Sequence, residues 1–346
     1  MKIKIIFDLK NEPSGGGNQF LKALKEYFLS RGSYSDNAMS ADLLLFNSYQ
    51  CIRETANLKH KYPDCLFIHR IDGPIRLYNS PDDRRDAVAY TAMKQIADGT
   101  VFQSEWSKKK NIDLGIPKTT FETTIMNAPD KSIFNPIDRK FIKSGGKTRL
   151  IATSWSANWN KGFDAYQWLD RHLDFSRYEM IFVGNSPVEF KNIQHIRPLP
   201  SWELAKELKK SDIFITASKN DPCSNSLIEA LHCGLPAIVR NDAGHPEIAG
   251  NSGEVFKNVE EIPTLIDKII QHYMNYQQGI VLPNMEEVGN AYYTFMDSIY
   301  EAMQRGEYVP KRLTWLGYSR VLGGIGLWRA SERIARLRRN IVSKLK

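Results

Sequence analysis

The chain has 346 residues, 42% hydrophobic and 25% charged, a globular composition that excludes disorder as its overall state. Its length exceeds that of one typical domain and predicts two, of roughly 150 residues each. The net charge of +8 is segregated: residues 311–346 hold ten Lys or Arg against one acid, Glu332, and so carry +9. That leaves −1 on the preceding 310 residues and argues against a nucleic-acid-binding face.

The opening "MKIKIIFDLK" is interrupted by Asp8 after a short apolar run and does not read as a signal peptide. No apolar run approaches the ~20 residues of a spanning helix. Cys51, Cys65, Cys223 and Cys233 form no CxxC pair and no zinc-type spacing, which predicts free thiols in a reducing cytosol. Along the chain, "IKIIFD", "ADLLLFN", "CLFIHRID", "GTVFQS" and "TTIMNA" are apolar runs of strand length. They alternate with amphipathic stretches at 17–31, 50–60, 82–96 and 104–113. That alternation implies right-handed βαβ units on a parallel sheet. It restarts after "IDRKFIKSGGKTR", with "LIATSW", "YEMIFVGN", "HIRPL", "SDIFITAS", "PAIVRN" and "GEVF". The expectation is an α/β chain of two Rossmann-like domains joined near 137–148, with ligands bound beyond the strands' carboxyl ends in a cleft between them.

Several stretches carry chemistry. "SGGGNQF" (14–20) follows the first strand and opens the first helix, where Gly15, Gly16 and Gly17 let backbone N–H groups approach a phosphate or an acceptor. Phe20 stands where a dinucleotide fingerprint needs its last glycine, and the second strand ends in Asn47 instead of a ribose-gripping acid, so NAD binding is disfavoured. "SGGKT" (144–148) lacks the first glycine of a P-loop, has Phe141 in its place, and reads as a linker. No Asp-x-Asp triplet and no His/carboxylate cluster of ligand spacing occurs, so neither a metal nor another cofactor is expected. The positive charge facing a phosphate would come from side chains and helix ends.

The stretch "DPCSNSLIEALHCGLPAI" (221–238) follows the buried strand that ends at Ser218. Ser224 can cap a helix running to about Cys233, whose free N–H groups at Asn225, Ser226 and Leu227 suit an anion. Asp221 lies on the loop and Glu229 deeper on the helix, two acceptors suited to sugar hydroxyls beside a diphosphate. As bare spacing, a solvated pair of acids explains the pattern equally well.

The stretch resembles the E-x7-E motif of the family-4 retaining glycosyltransferases. The likeness continues through "LIEALHCGLPAIVRNDAGHPEIAGNSGEVF", upstream through "WNKGFD", "FVGN" and "SDIFITAS", and into the first half as "VFQSEWSK" and "IMNAPDKSIFNP", with Asn127, Asp130, Phe134 and Pro136. The resemblance covers most of residues 1–300. It implies a GT-B fold, the acceptor in an N-terminal domain (1–140) and a nucleotide-sugar in a C-terminal one (141–285), followed by a crossover helix (286–310) and a basic tail (311–346). It further implies that Asp221 holds donor-sugar hydroxyls, Glu229 the nucleotide ribose and Lys161 the diphosphate. His69 would stand near the reacting sugar, and Gly15–Gly17 would match the family's glycine loop. Asp221 replaces the usual Glu. Trp155 stands where the family usually has an Arg six residues before the Lys, so Arg70 or Arg240 would have to supply that charge.

The expected reaction is metal-independent transfer of a sugar, with retention, from a UDP- or GDP-sugar to an acceptor hydroxyl of a glycan or lipid-linked acceptor. Alternatives are a catalytically silent sugar-nucleotide-binding partner subunit and a sugar-nucleotide epimerase of the same architecture. In the tail, Ile334, Leu337, Ile341 and Leu345 share one helical arc, largely opposite Arg329, Arg333, Arg336 and Arg339. The tail thus reads as an interfacial helix on an anionic membrane surface, anchored by Trp315 and Trp328, or as a helix packed back on the N-terminal domain. The first of these readings places the protein in the cytoplasm, peripheral on the inner face of the cell membrane.

Overall fold

The computed structural model describes residues 1–10, 15–139 and 146–344, those from 338 onward by backbone alone; half of the expected linker, 140–145, lies outside them. The chain divides into two compact units. One comprises Met1–Asp8, Phe28–Ile125 and Ala291–Lys346; the other comprises Leu9–Tyr27 and Met126–Asn290.

The first unit is built on a five-stranded sheet in the order β1 (Ile3–Ile6), β2 (Leu43–Asn47), β3 (Leu66–Ile71), β4 (Gly99–Phe102) and β5 (Phe121–Thr124). Every pairing is parallel. β2, β3 and β4 are buried at every position, which is why they read as unbroken apolar runs with no alternation. On its outer edge β1 makes a single parallel bridge, Ile3 to Tyr34. The winding therefore reverses at β1, whose carboxyl end leads into the glycine turn. After β1 comes α1 (Gly16–Ser30), most of which belongs to the other unit, and the first unit's connecting helices are α2 (Ile52–Lys61), α3 (Ile75–Tyr78), α4 (Arg85–Ile96) and α5 (Glu105–Asp113).

The second unit carries a six-stranded parallel sheet with strands β6 (Thr148–Ser154), β7 (Tyr178–Gly184), β8 (Gln194–Ile196), β9 (Ile213–Thr216), β10 (Ala237–Arg240) and β11 (Gly253–Phe256). Their spatial order is β11-β10-β9-β6-β7-β8. The chain winds outward from β6 through β7 to β8, returns to β9 on the other side of β6, and winds outward again. The crevice beyond the carboxyl ends of β6 and β9 is thus a topological switch point, where open α/β sheets bind ligands. Its helices are α6 (Phe163–His172), α7 (Ser201–Lys210), α8 (Asn225–His232), α9 (His245–Ala249), α10 (Ile262–Gln271) and α11 (Tyr273–Gln278); the chain then continues through α12 (Met285–Gln304), most of which belongs to the first unit, and α13 (Trp315–Lys344), which belongs to it entirely.

The basic tail is in its first half part of a core. α13 packs on α4 and α2, and Leu313, Val321 and Ile325 are buried in the cluster that includes Ile52, Ala56, Val88 and Phe102. Trp328 turns inward as well, edge-on to Tyr49 with ring centroids 5.5 Å apart, so of the two expected membrane anchors only Trp315, 72% exposed, faces solvent. Buried Asp98 secures the segment leading into α13. It accepts hydrogen bonds from the Tyr308 hydroxyl (2.8 Å) and the Lys311 N–H (2.7 Å), as well as from the Phe67 N–H, and lies 3.5 Å from the buried Lys59 ammonium. A buried ion pair is tolerated when its remaining hydrogen-bonding sites are filled, as here.

This packing makes the segment after residue 306 part of the first unit's core. Deleting 307–346 removes three core side chains, each worth about 1.5–3 kcal/mol, leaves their partners on α2 and α4 uncovered, and removes two donors to Asp98. A large fall in the urea midpoint is expected, whereas deleting 330–346 should leave the midpoint within error of the full chain. Equal midpoints for the two truncations would refute this assignment.

Candidate functional site

Two loops meet at the switch point of the second sheet. From β6 the chain runs through a 3-10 turn, Trp159–Lys161, to Gly162, whose φ of +89° and whose closeness to Ala217 both require glycine. An added Cβ there would lie 2.4 Å from the Ala217 carbonyl oxygen. From β9 the chain runs to Asp221. The turn is thereby pressed onto the end of β9, and the Lys161 ammonium donates to Asp221 Oδ2 at 2.8 Å. Burial by itself would raise the Asp221 carboxyl; the Lys161 ammonium and the Cys223 N–H outweigh it and hold the group below its ordinary range. Asp221 is an ionised carboxylate in the folded protein.

α8 begins at Asn225, as the capping logic expects, but Ser224 does not cap it with its side chain. The Ser224 hydroxyl instead lies 3.1 Å from that of Ser226. The N–H groups of Asn225, Ser226 and Leu227 have no acceptor among the described residues. The start of α1 lies close by: a Cβ on Gly16 would sit 2.3 Å from Asn225 Nδ2 and 2.6 Å from its Cβ, whereas one on Gly17 would meet nothing within 4 Å. Gly16 is therefore fixed by close approach, and two helix N-termini face one region of positive potential. Asn127 Nδ2 donates to the Asn225 side-chain oxygen at 3.1 Å and orients it.

Glu229 lies one turn along α8 and lines a cavity of about 480 Å³ together with Gly16, Gln19, Asp130, Ser201 and Asn225. The residue retains an opening to that cavity, yet protein encloses its carboxyl deeply enough that lost hydration pushes its pKa up to about 8. No hydrogen bond or ion pair reaches this carboxyl among the described residues. The two acids of the motif thus differ in state: Asp221 is ionised and Glu229 is neutral near pH 7.

The two arginines differ as well. Arg70, on β3, is fully buried, its Nη1 donating to Asn47 Oδ1 (2.5 Å) and Asp72 Oδ1 (2.8 Å) in the first unit; these bonds and its burial leave it ill placed to replace a phosphate-binding arginine. Arg240, at the end of β10, donates through Nε to the Ala217 carbonyl (2.8 Å) and stands 3.4 Å from the Asp164 carboxylate, beside the Lys161 turn. Trp155 is 46% exposed at the end of β6, and its carbonyl accepts from Asn185 Nδ2. His69, on β3, is fully buried in the first unit, stacked on Phe46 at 4.1 Å, with Nε2 2.8 Å from the Ser48 carbonyl. Burial pushes its pKa down to about 3, so it is a neutral imidazole.

Two features escaped the sequence. A groove of about 500 Å³ lined by Gly184, Asn185, Ser186, His195, Arg197 and Pro198 opens past the ends of β7 and β8. The buried His245 stands beside Asp221 and Lys161. The strand-to-loop transitions at "FVGN" and "HIRPL" were legible, but nothing in a single sequence places their side chains together.

The stretch holding Asp221, Glu229, Arg240 and His245 also has a recognisable sequence family. Residues 188–278 match the family model of glycosyl transferases group 1. The group 1 glycosyl transferase match runs from ahead of β8 to the end of α11, so it spans the far side of the switch point and leaves Lys161 outside. No curated protein matches the chain in sequence. Solved structures similar in fold include sucrose-phosphate synthase from Thermosynechococcus elongatus, with a TM-score of 0.67 and 11% identity, over 87% of this chain and 100% of that one. Anabaena Alr3699/HepE, solved in complex with UDP and glucose, gives 0.63 and 13% over 88% and 99%. A glycosyltransferase from Rickettsia africae gives 0.58 and 13% over 95% and 97%. The shared fold is GT-B, two parallel-sheet α/β Rossmann-like domains.

The state of Glu229 gives a test. Its carboxyl holds a proton in the folded protein that the unfolded chain releases at its ordinary value of 4.5, so this group lowers stability as pH rises from about 4.5 through about 8. Glu229→Gln, which cannot ionise, should flatten that part of the pH dependence of the urea midpoint. Parallel profiles for variant and wild type would show Glu229 to be solvated.

Proposed function

We propose that this chain is a glycosyltransferase that moves a sugar from a nucleotide-diphosphate donor to an acceptor hydroxyl, with the donor held at the switch point of the second unit. The observation that carries this reading is the Lys161–Asp221 pair beside the unfilled N–H groups of α8. A diphosphate has the charge for Lys161 and the helix ends, a sugar has hydroxyls for Asp221, and a ribose has a diol for Glu229. The groove at Gly184 and Arg197 suits the base. The match to glycosyl transferases group 1 and the UDP complexes of the fold neighbour HepE support UDP as the nucleotide.

The reaction would be metal-independent and retaining. No side-chain nucleophile is needed: the bond from the sugar's anomeric carbon to phosphate oxygen breaks, the acceptor oxygen bonds to that carbon, and the acceptor proton passes to the leaving phosphate. Lys161, Arg240 and the helix N-termini would stabilise the departing charge, a preorganised electrostatic contribution. His69 is retained as a candidate neighbour of the reacting sugar on the strength of the resemblance.

The binding site is tested by thermal shift against UDP, GDP, dTDP and their sugars, followed by turnover with the best binder. Lys161→Ala should weaken diphosphate binding by about 1.5–3 kcal/mol, the range for a charged hydrogen bond, and reduce turnover further. Binding without transfer or donor hydrolysis across a broad acceptor panel would favour the silent-partner reading; no binding at all would refute both.

The acceptor is proposed to be membrane-borne, in surface-polysaccharide or lipid-linked glycan assembly. No helix among the described residues is long and apolar enough to cross a membrane. On α13, however, Leu316, Leu327, Ile334 and Leu337 are exposed, and so are Arg320, Arg329, Arg333 and Arg336. An exposed apolar and basic helix face fits an anionic lipid surface, each basic group contributing about 1 kcal/mol at low salt. The full chain should float with anionic but not with neutral liposomes, less so at high salt, and the chain lacking 330–346 should float poorly. Full flotation of that truncated chain would assign membrane contact elsewhere.

A further inference from the structure

Beside the Lys161–Asp221 pair stands a buried group that the proposed function leaves unused. His245 opens α9 and is fully buried. Its Nδ1 lies 3.0 Å from the Asp242 carbonyl oxygen. A carbonyl only accepts, so Nδ1 carries the proton and Nε2 presents a lone pair. Nε2 is buried and has no hydrogen-bond partner. An unfilled buried acceptor is costly unless something fills it.

The loop carrying His245 is clamped to the loop carrying Asp221. The Gly244 N–H donates to the Asp221 carbonyl at 3.1 Å, and the Asn220 N–H donates to Asp242 Oδ1 at 2.6 Å. A Cβ on Gly244 would lie 2.2 Å from the Pro222 carbonyl oxygen, so only glycine permits this approach. Each loop also holds one non-glycine residue in the left-handed region, Asn220 and Ala243, both at φ +54°. Strain of this kind persists where surroundings enforce it, and it concentrates at ligand sites. The two loops therefore hold Asp221 and His245 in a fixed relation, and both groups couple electrostatically to Lys161.

The chemistry of this arrangement is selective. Lys161 and the Cys223 N–H already donate to the Asp221 carboxylate, and His245 adds a second acceptor with no donor of its own facing it. A ligand that fills both must bring hydrogen-bond donors, as neighbouring hydroxyls of a pyranose do. We infer that His245 is a donor-sugar-binding residue whose Nε2 accepts from a hydroxyl adjacent to the one held by Asp221, so that the pair reads a vicinal diol on the transferred sugar. This inference rests on the proposed function, and it concerns the sugar, not the nucleotide.

Isothermal titration calorimetry of the full chain with UDP, UDP-glucose, GDP and GDP-mannose, and with 2-, 3-, 4- and 6-deoxyfluoro analogues of the sugar-nucleotide that binds better, separates the two. Fluorine replaces a hydroxyl without donating a hydrogen bond. In the wild type, the sugar-nucleotide should bind more tightly than its nucleotide, and two analogues at adjacent positions should each lose about three- to tenfold. His245→Leu should lose a similar factor for the parent sugar-nucleotide, leave the free nucleotide unchanged, and lose nothing further with one of those two analogues. His245→Gln, whose side-chain oxygen can accept, should recover part of the loss. The inference is overturned if no analogue is discriminated in the wild type, a result independent of any variant. It is also overturned if folded His245→Leu binds the parent as the wild type does, or loses nucleotide and sugar-nucleotide equally. Absence of all nucleotide binding by the wild type would instead overturn the proposed function, and this inference with it.

Discussion

The ion pair between Lys161 and Asp221 is the constraint around which the second unit's site is organised. It joins the loops leaving β6 and β9, the two neighbouring strands at which the winding of the sheet reverses. Backbone topology leaves a crevice there, and the pair fills it with one cation and one anion at 2.8 Å. Gly162 makes the approach possible, since any side chain at its position would collide with Ala217. Arg240, held by the same Ala217 carbonyl, brings a second cation to that edge.

Around this pair, two carboxyl groups eight residues apart are driven to different protonation states by different forces. Asp221 stays ionised because a neighbouring ammonium and the Cys223 N–H outweigh its loss of hydration. Glu229 has no such partner, and burial alone makes it neutral near pH 7. One side chain can therefore only accept hydrogen bonds and the other can donate one as well. The same protein interior thus separates the titrations of two acids by giving one a cation and the other none.

The first unit shows the same logic used for stability. Asp98, buried against Lys59, satisfies its remaining lone pairs with the Tyr308 hydroxyl and the Lys311 N–H, so a charge in the sheet secures a segment more than two hundred residues away. α13 then divides its surface: one face completes the core over α2 and α4, and the other presents exposed leucine, isoleucine and arginine. A single helix thus serves packing through part of its circumference and remains open to solvent on the rest.

Much of the fold was legible in the sequence because buried parallel strands must be apolar throughout and must be separated by helices. "LLLF", "GTVF" and "LIATS" announce themselves on that ground alone. The charge segregation at the carboxyl end, and the juxtaposition of a loop acid and a helix acid at 221 and 229, were also plain. What tertiary structure decided were relations between residues far apart in the chain. Lys161 meets Asp221 only because β9 returns beside β6, and Gly16 proves indispensable sterically, and Gly17 does not, only because Asn225 lies against it. The tail's apolar residues form a genuine helical pattern, but periodicity does not say which face a protein core will claim; α2 and α4 take Val321 and Ile325 and leave Leu327 outside. His245 carried no signal at all, since a histidine's importance depends on which of its nitrogens the fold leaves unfilled. Local pattern fixes which segments are strands and helices because burial acts residue by residue. The protonation state and partners of a site follow from the three-dimensional field of its neighbours, which sequence order does not contain.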